Sequence, residues 1–141
     1  MSSASALAVP ENLLRPARPT PVVFVIDADA SVRESLEKLI PCAGLVVQTF
    51  ATAREFLARQ RPRTPSCLIL DLDLPDINGL DVQRCVAEDG LTLPVIFITS
   101  DADVSSAVQA MKAGAVEFLT KPFRVDILLS AITEAVARSR C

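Results

Sequence analysis

Val22-Val23-Phe24-Val25-Ile26-Asp27 is the stretch from which the fold is read. Five β-branched or aromatic residues follow one another without polar alternation, as a strand covered on both faces requires. A carboxylate closes the run. The same construction returns in Cys67-Leu68-Ile69-Leu70-Asp71, in Pro94-Val95-Ile96-Phe97-Ile98-Thr99, and in the shorter Glu117-Phe118-Leu119-Thr120-Lys121. Residues 45–50 suit a further strand, second in chain order.

Helical patterns separate these runs. Ser31-x-x-Glu34 reads as a capping box, with Val32, Leu36, Leu39 and Ile40 on one face and Pro41 and Gly44 at the end. Thr52-x-x-Glu55 is a second capping box, leading into Phe56 and Leu57. Arg59-Gln60-Arg61-Pro62-Arg63-Thr64-Pro65 reads as loop. After the turn Pro75-Asp76-Ile77-Asn78-Gly79, a third helix carries Leu80, Val82 and Val86. The fourth presents Val104, Ala107, Val108 and Met111, with Gly114 as its stop. The last repeats Val125, Leu128, Leu129, Ile132 and Val136, with Arg138 and Arg140 placed to complement the helix dipole. Five strand–helix repeats with buried-type strands imply an α/β fold, a parallel sheet with helices on both faces. Ligands of such sheets bind beyond the carboxyl ends of the strands.

Composition narrows the function. At 141 residues the chain has the length of one domain, and its 50% hydrophobic and 22% charged residues are those of a globular chain. No apolar run approaches the roughly 18–20 residues of a membrane-spanning helix. Fourteen basic against 17 acidic residues give a net charge of −3, so no basic nucleic-acid footprint is expected. With no histidine there is no Ser-His-Asp triad, no His base and no His-ligated metal. The four glycines show neither nucleotide-binding spacing. Cys42, Cys67, Cys85 and Cys141 form no C-x-x-C pair, and the first three read as buried free thiols. Residues 1–21, rich in Ala, Ser and Pro, are expected to be a loose tail, too broken for a signal peptide; the chain is therefore taken as cytoplasmic and reduced.

The residues closing the strands are Asp27, Asp71, Thr99 and Lys121. Two carboxylates brought together repel unless a cation neutralises them, and Mg²⁺ takes one or two carboxylates with waters and a phosphate. A lysine and a hydroxyl beside them complete a set suited to phosphoryl transfer onto an aspartate. Any one polar strand end could simply start a turn; four together favour the site.

On these residues the chain resembles a known family. Val25-Ile26-Asp27, Asp71-Leu72-Asp73-Leu74-Pro75, Gly79, Thr99 and Lys121-Pro122-Phe123, in this order and spacing, resemble the receiver domain of bacterial two-component response regulators. Ser31-Val32-Arg33-Glu34, Phe50-x-x-Ala53-x-Glu55-Phe56-Leu57 and Met111-Lys112-Ala113-Gly114-Ala115 are similar to its FixJ/NarL-like branch. The resemblance implies a tail over 1–21, a receiver domain over 22–138, and an end or linker start over 139–141. It implies a flavodoxin-like (βα)5 fold with strand order 2-1-3-4-5. Asp71 would accept a phosphoryl group from a sensor histidine kinase. Mg²⁺ would be held by Asp27, Asp71 and the Asp73 carbonyl. Lys121, before a cis Pro122, and Thr99 would contact the phosphoryl group, and Phe118 would rotate inward. The face of the fourth helix, fifth strand and fifth helix would then repack to control homodimerisation or an effector. Such regulators usually continue into a DNA-binding domain controlling transcription; the receiver itself is expected to contact neither nucleic acid nor membrane.

One departure stands out. The family usually has an acidic pair where this chain reads Asp27-Ala28-Asp29, so Mg²⁺ affinity is expected to be weakened, with Asp29 as a candidate substitute ligand. Two other readings compete. Asp71-x-Asp73 is similar to the nucleophile motif of haloacid-dehalogenase-type phosphatases, but Pro75 stands where Thr or Val belongs, and no room remains for a cap domain. The other is a pseudo-receiver, a phosphorylation-independent interaction module silenced at Ala28.

Overall fold

The computed structural model describes residues 20–59, 64–88, 93–100 and 103–139. Most of the expected tail, part of the arginine-rich loop, Arg140 and Cys141 lie outside them. Five strands, β1 (Val22–Ile26), β2 (Val46–Phe50), β3 (Ser66–Asp71), β4 (Val95–Thr99) and β5 (Glu117–Thr120), alternate with five helices: α1 (Ala30–Cys42), α2 (Ala53–Leu57), α3 (Gly79–Glu88), α4 (Val104–Lys112) and α5 (Val125–Ser139). All strand pairs are parallel, in the order β2-β1-β3-β4-β5. This is the flavodoxin-like arrangement.

Side-chain alternation divides the apolar strands between two cores. Phe24, Ile26, Leu68, Leu70, Val95 and Phe97 face α2, α3 and α4, where Phe56, Val82, Val86 and Ala110 complete the packing. Val23, Val25, Cys67, Ile69, Ile96 and Ile98 face α1 and α5, against Leu36, Ile40, Leu128 and Ile132. Phe24, Phe50 and Phe56 form an aromatic trio with centroids 5.4–6.4 Å apart.

Several helix details depart from the sequence reading. Asp29, not Ser31, is the N-cap of α1: its Oδ1 accepts from Ser31 N at 2.9 Å and from Ser31 Oγ at 2.7 Å. Aspartate caps as well as serine, and it stands closer to the strand end. Pro41 lies inside α1, and the reversal is made at Gly44, with φ +81°. Thr52 does cap α2, accepting from Glu55 N at 3.3 Å.

On α4 only Ala110 is buried; Val104, Val108 and Met111 are 81%, 44% and 45% exposed. Their helical periodicity marks an apolar stripe correctly but does not say what covers it. On α5 the core face runs through Leu128, Ala131, Ile132, Ala135 and Val136, leaving Val125 exposed and Leu129 half-buried. Small alanines let both helices lie close to the sheet, a preference that a search for large apolar residues overlooks. Cys42 and Cys85 are exposed, contrary to expectation, because each falls on its helix's outer face. Cys67 is buried, and that burial pushes its thiol up to about 12. Among the described residues no helix is long and apolar enough to cross a membrane.

Candidate functional site

The parallel sheet brings the carboxyl ends of β1, β3, β4 and β5 to one edge. Asp71 ends β3 with the parity of Cys67 and Ile69, toward α1 and α5. Asp27 follows β1 with the parity of Val23 and Val25, its N–H continuing the ladder to Phe50 O at 3.0 Å. Lys121 follows β5, tied by its N–H to Thr99 O at 2.8 Å, and the Lys121–Pro122 peptide is cis. Its ammonium lies 2.8 Å from Asp27 Oδ2 and 3.3 Å from Asp71 Oδ2. One cation thus serves two carboxylates.

The electrostatics follow from burial. Asp27 is fully buried and Asp71 is 7% exposed. Burial, and next the Asp27 charge, push the Asp71 carboxyl above its ordinary range, against the pull of the Asp73 N–H and Lys121. Burial also opposes the Lys121 charge, but Asp27 and Asp71 more than offset it and hold the ammonium above the usual lysine range. Asp27 Oδ1 accepts from Asp29 N at 2.8 Å, while Arg33 Nη1 donates to the Asp27 carbonyl at 2.5 Å.

Thr99 is fully buried at the end of β4, on the face opposite Asp71. Phe118 is half-buried on that same face, its ring 5.7 Å from Phe97. Asp73 is exposed, and its N–H donates to Asp71 Oδ1 at 3.1 Å. Behind it, Gly79 opens α3 directly against the strand end: a Cβ there would lie 2.6 Å from the Asp71 carbonyl oxygen and 2.9 Å from Leu72 Cα. Of the residues singled out from sequence, Asp27, Asp71 and Lys121 meet directly, with Asp73 bonded to Asp71. Asp29 is occupied with the α1 cap. Sequence reasoning did not find Arg33 or Asp76 as contributors; Asp76 read only as a turn residue.

The donor set can be tested against a hard divalent cation. Asp27 Oδ2 is buried and, among the described residues, accepts no hydrogen bond of good geometry, although the Lys121 ammonium lies 2.8 Å from it. With the Asp71 carboxylate and the Asp73 carbonyl, it offers oxygen donors of the kind and number Mg²⁺ takes from proteins. No group of three or more acidic, His or Cys side chains is placed to hold a metal ion among the described residues. The fit is therefore to a sparse site.

Residues 23–133 match the model of the response regulator receiver domain. The chain belongs to that family. The receiver domain is 46% identical over 119 residues to Nodulation protein W of Bradyrhizobium diazoefficiens, covering 84% of this chain and 52% of that protein. It is 41% identical over 118 residues to the transcriptional regulatory protein TdiR of Thauera aromatica, with 84% and 52% covered. Among solved structures, the response regulator StyR superposes with a TM-score of 0.80 at 42% identity, over 86% of this chain and 62% of that one. The receiver domain thus spans about half the length of the curated relatives it matches. Of these relatives, TdiR is named a transcriptional regulatory protein and StyR a response regulator.

Proposed function

We propose that this receiver domain accepts a phosphoryl group on Asp71 and converts it into a change of surface. The observation that carries this reading is the Asp27–Lys121–Asp71 arrangement, in which the two carboxylates share one ammonium beside the exposed Asp73 turn. An oxygen of the Asp71 carboxylate attacks the phosphorus of a phosphohistidine on a sensor histidine kinase. The P–O bond forms as the P–N bond breaks, and the imidazole leaves. Asp27, Asp71 and the Asp73 carbonyl would hold Mg²⁺, which when bound supplies positive charge for the phosphoryl oxygens.

Lys121 already lies beside Asp71 and passes to the new phosphoryl oxygens with little movement. The added charge of about −1.5 to −2 draws the Thr99 hydroxyl toward it, and Phe118, packed loosely enough to be half-buried, follows inward. The face repacked by these movements carries the exposed Val104, Val108 and Met111 of α4, and through it the protein dimerises or engages an effector. A DNA-binding effector region and a cytoplasmic setting belong to this proposal, which the transcription regulators among the relatives support.

Ala28 distinguishes this site from its family pattern. With Asp29 committed to Ser31, no third carboxylate among the described residues is placed for the cation, so Mg²⁺ binds weakly. The same observation favours the second reading, a pseudo-receiver that works without phosphorylation. Intact mass after incubation with acetyl phosphate, with and without Mg²⁺, separates them, and Asp71→Asn is the control. A Mg²⁺-dependent gain of one phosphoryl group, lost in the control, supports the acceptor. No gain at any Mg²⁺ concentration supports the pseudo-receiver.

A further inference from the structure

The loop of residues 72–78 carries Asp73 past the Asp71 carboxylate, and four hydrogen bonds hold it. Its ends are closed by Gly79 N donating to Leu72 O at 2.9 Å. Its start is fastened to the site by the Asp73 N–H on Asp71 Oδ1. Its middle reaches across to another element: Asp76 Oδ1 accepts from Ala53 N at 3.2 Å and Asp76 Oδ2 from Arg54 N at 2.9 Å, 23 and 22 residues away in sequence. The far end of this bridge is rigid. Ala53 and Phe56 are fully buried, and Phe56 is packed in the trio with Phe24 and Phe50. The near end is anchored less deeply: Leu72 is buried, but Leu74 and Ile77 pack only partly on the core, and Asp73, Pro75 and Asn78 are exposed.

We infer that Asp76 is a positioning residue: its carboxylate braces the 72–78 loop against α2 and so sets where the Asp73 backbone lies beside Asp71. This rests on the reading of Asp71 as the acceptor. The simpler role for Asp76 is to cap α2, whose first amides otherwise lack partners. The two roles differ in direction. α2 has a second cap in Thr52, whose hydroxyl accepts from Glu55 N and donates to Glu55 Oε1, both on α2 itself. Removing Thr52 loosens α2 alone, whereas removing Asp76 loosens the loop as well.

The test compares Asp76→Ala, Asp76→Asn and Thr52→Ala with the parent chain by ¹⁵N relaxation and by Mg²⁺ titration of the amide resonances. In Asp76→Ala the order parameters of the 73–78 amides fall from the rigid range of about 0.85 toward about 0.6. The Mg²⁺ concentration that half-shifts the Asp73 amide rises three- to tenfold. Asp76→Asn, which keeps one acceptor oxygen, lies between. Thr52→Ala stays within twofold of the parent and leaves the loop rigid. Unchanged loop order parameters in Asp76→Ala, or equal loosening by Thr52→Ala, overturn the proposal. Acetyl phosphate labelling of the parent tests the acceptor reading separately; if that fails, the relaxation comparison still decides the brace.

Discussion

Replacing Lys121 by methionine removes the one ammonium that the two carboxylates share and leaves a side chain of similar length. At an effective dielectric of about 20, single charges 2.8 Å and 3.3 Å apart attract by roughly 6 and 5 kcal/mol before any cost is subtracted. Most of that is offset by desolvating the ammonium and fixing its long stem. Breaking a buried pair typically costs 3–5 kcal/mol, and the 15% exposure of the Lys121 side chain argues for the lower end, about 3 kcal/mol. The pH dependence is the sharper test. Asp71 already titrates above its ordinary range when folded, and without Lys121 it rises further. A folded carboxyl with a raised pKa binds protons more readily than the unfolded one, so folding gains stability as the pH falls through that range. Lys121 itself stays charged in both states between pH 5 and 8, because its folded titration lies above the ordinary lysine range. The deficit of Lys121→Met is therefore largest well above the raised Asp71 titration and shrinks as the pH falls through it. Urea unfolding followed by far-UV circular dichroism measures it, the chain having neither Trp nor Tyr. A deficit independent of pH, or none at all, would refute the account of the shared cation.

Four further outcomes are expected. Asp71→Asn removes a charge that its surroundings disfavour, so it stabilises the fold at pH 7, and the gain shrinks on acidification; parallel urea series at two pH values check this. Gly79→Ala forces a methyl group onto the Asp71 carbonyl and costs about 1–3 kcal/mol in urea unfolding, with amide shifts concentrated at 71–73. Ala28→Asp supplies the missing carboxylate and lowers the half-saturating Mg²⁺ concentration tenfold or more in an amide-shift titration; an unchanged value would dismiss Ala28 as the weak point. Asp29→Ala removes the α1 cap and costs about 0.5–2 kcal/mol, but leaves Mg²⁺ affinity within twofold if Asp29 is no ligand.

How far the sequence could be read depended on the range of the signal. The central strands were legible because burial on both faces demands unbroken apolar runs, and the polar residue ending each run marked the site edge. Asp27, Asp71 and Lys121 were found in this way, far apart in sequence but at equivalent positions in the repeat. Helix faces were less legible. The stripe of Val104, Val108 and Met111 has helical spacing whether or not it is covered, and Ala110, the buried residue of α4, carries almost no hydropathy signal. Asp29 and Ser31 are both good caps two positions apart, and only the geometry of the turn after β1 chooses between them. Asp76 was out of reach because its partners are backbone amides on another helix, which no side-chain pattern announces.

The parity that sorts the strand residues between the two cores also aims Asp71, and with it Asp27, at the Lys121 ammonium. Inserting or deleting one residue within β3 would therefore turn its apolar residues to the wrong cores and swing the Asp71 carboxylate away in the same stroke. A single exchange can alter this site, but a slip of the strand cannot do so without disrupting both cores as well. The site has no frame of reference separate from that of the fold, so a single exchange at Asp27, Asp71 or Lys121 alters it while the scaffold around it persists.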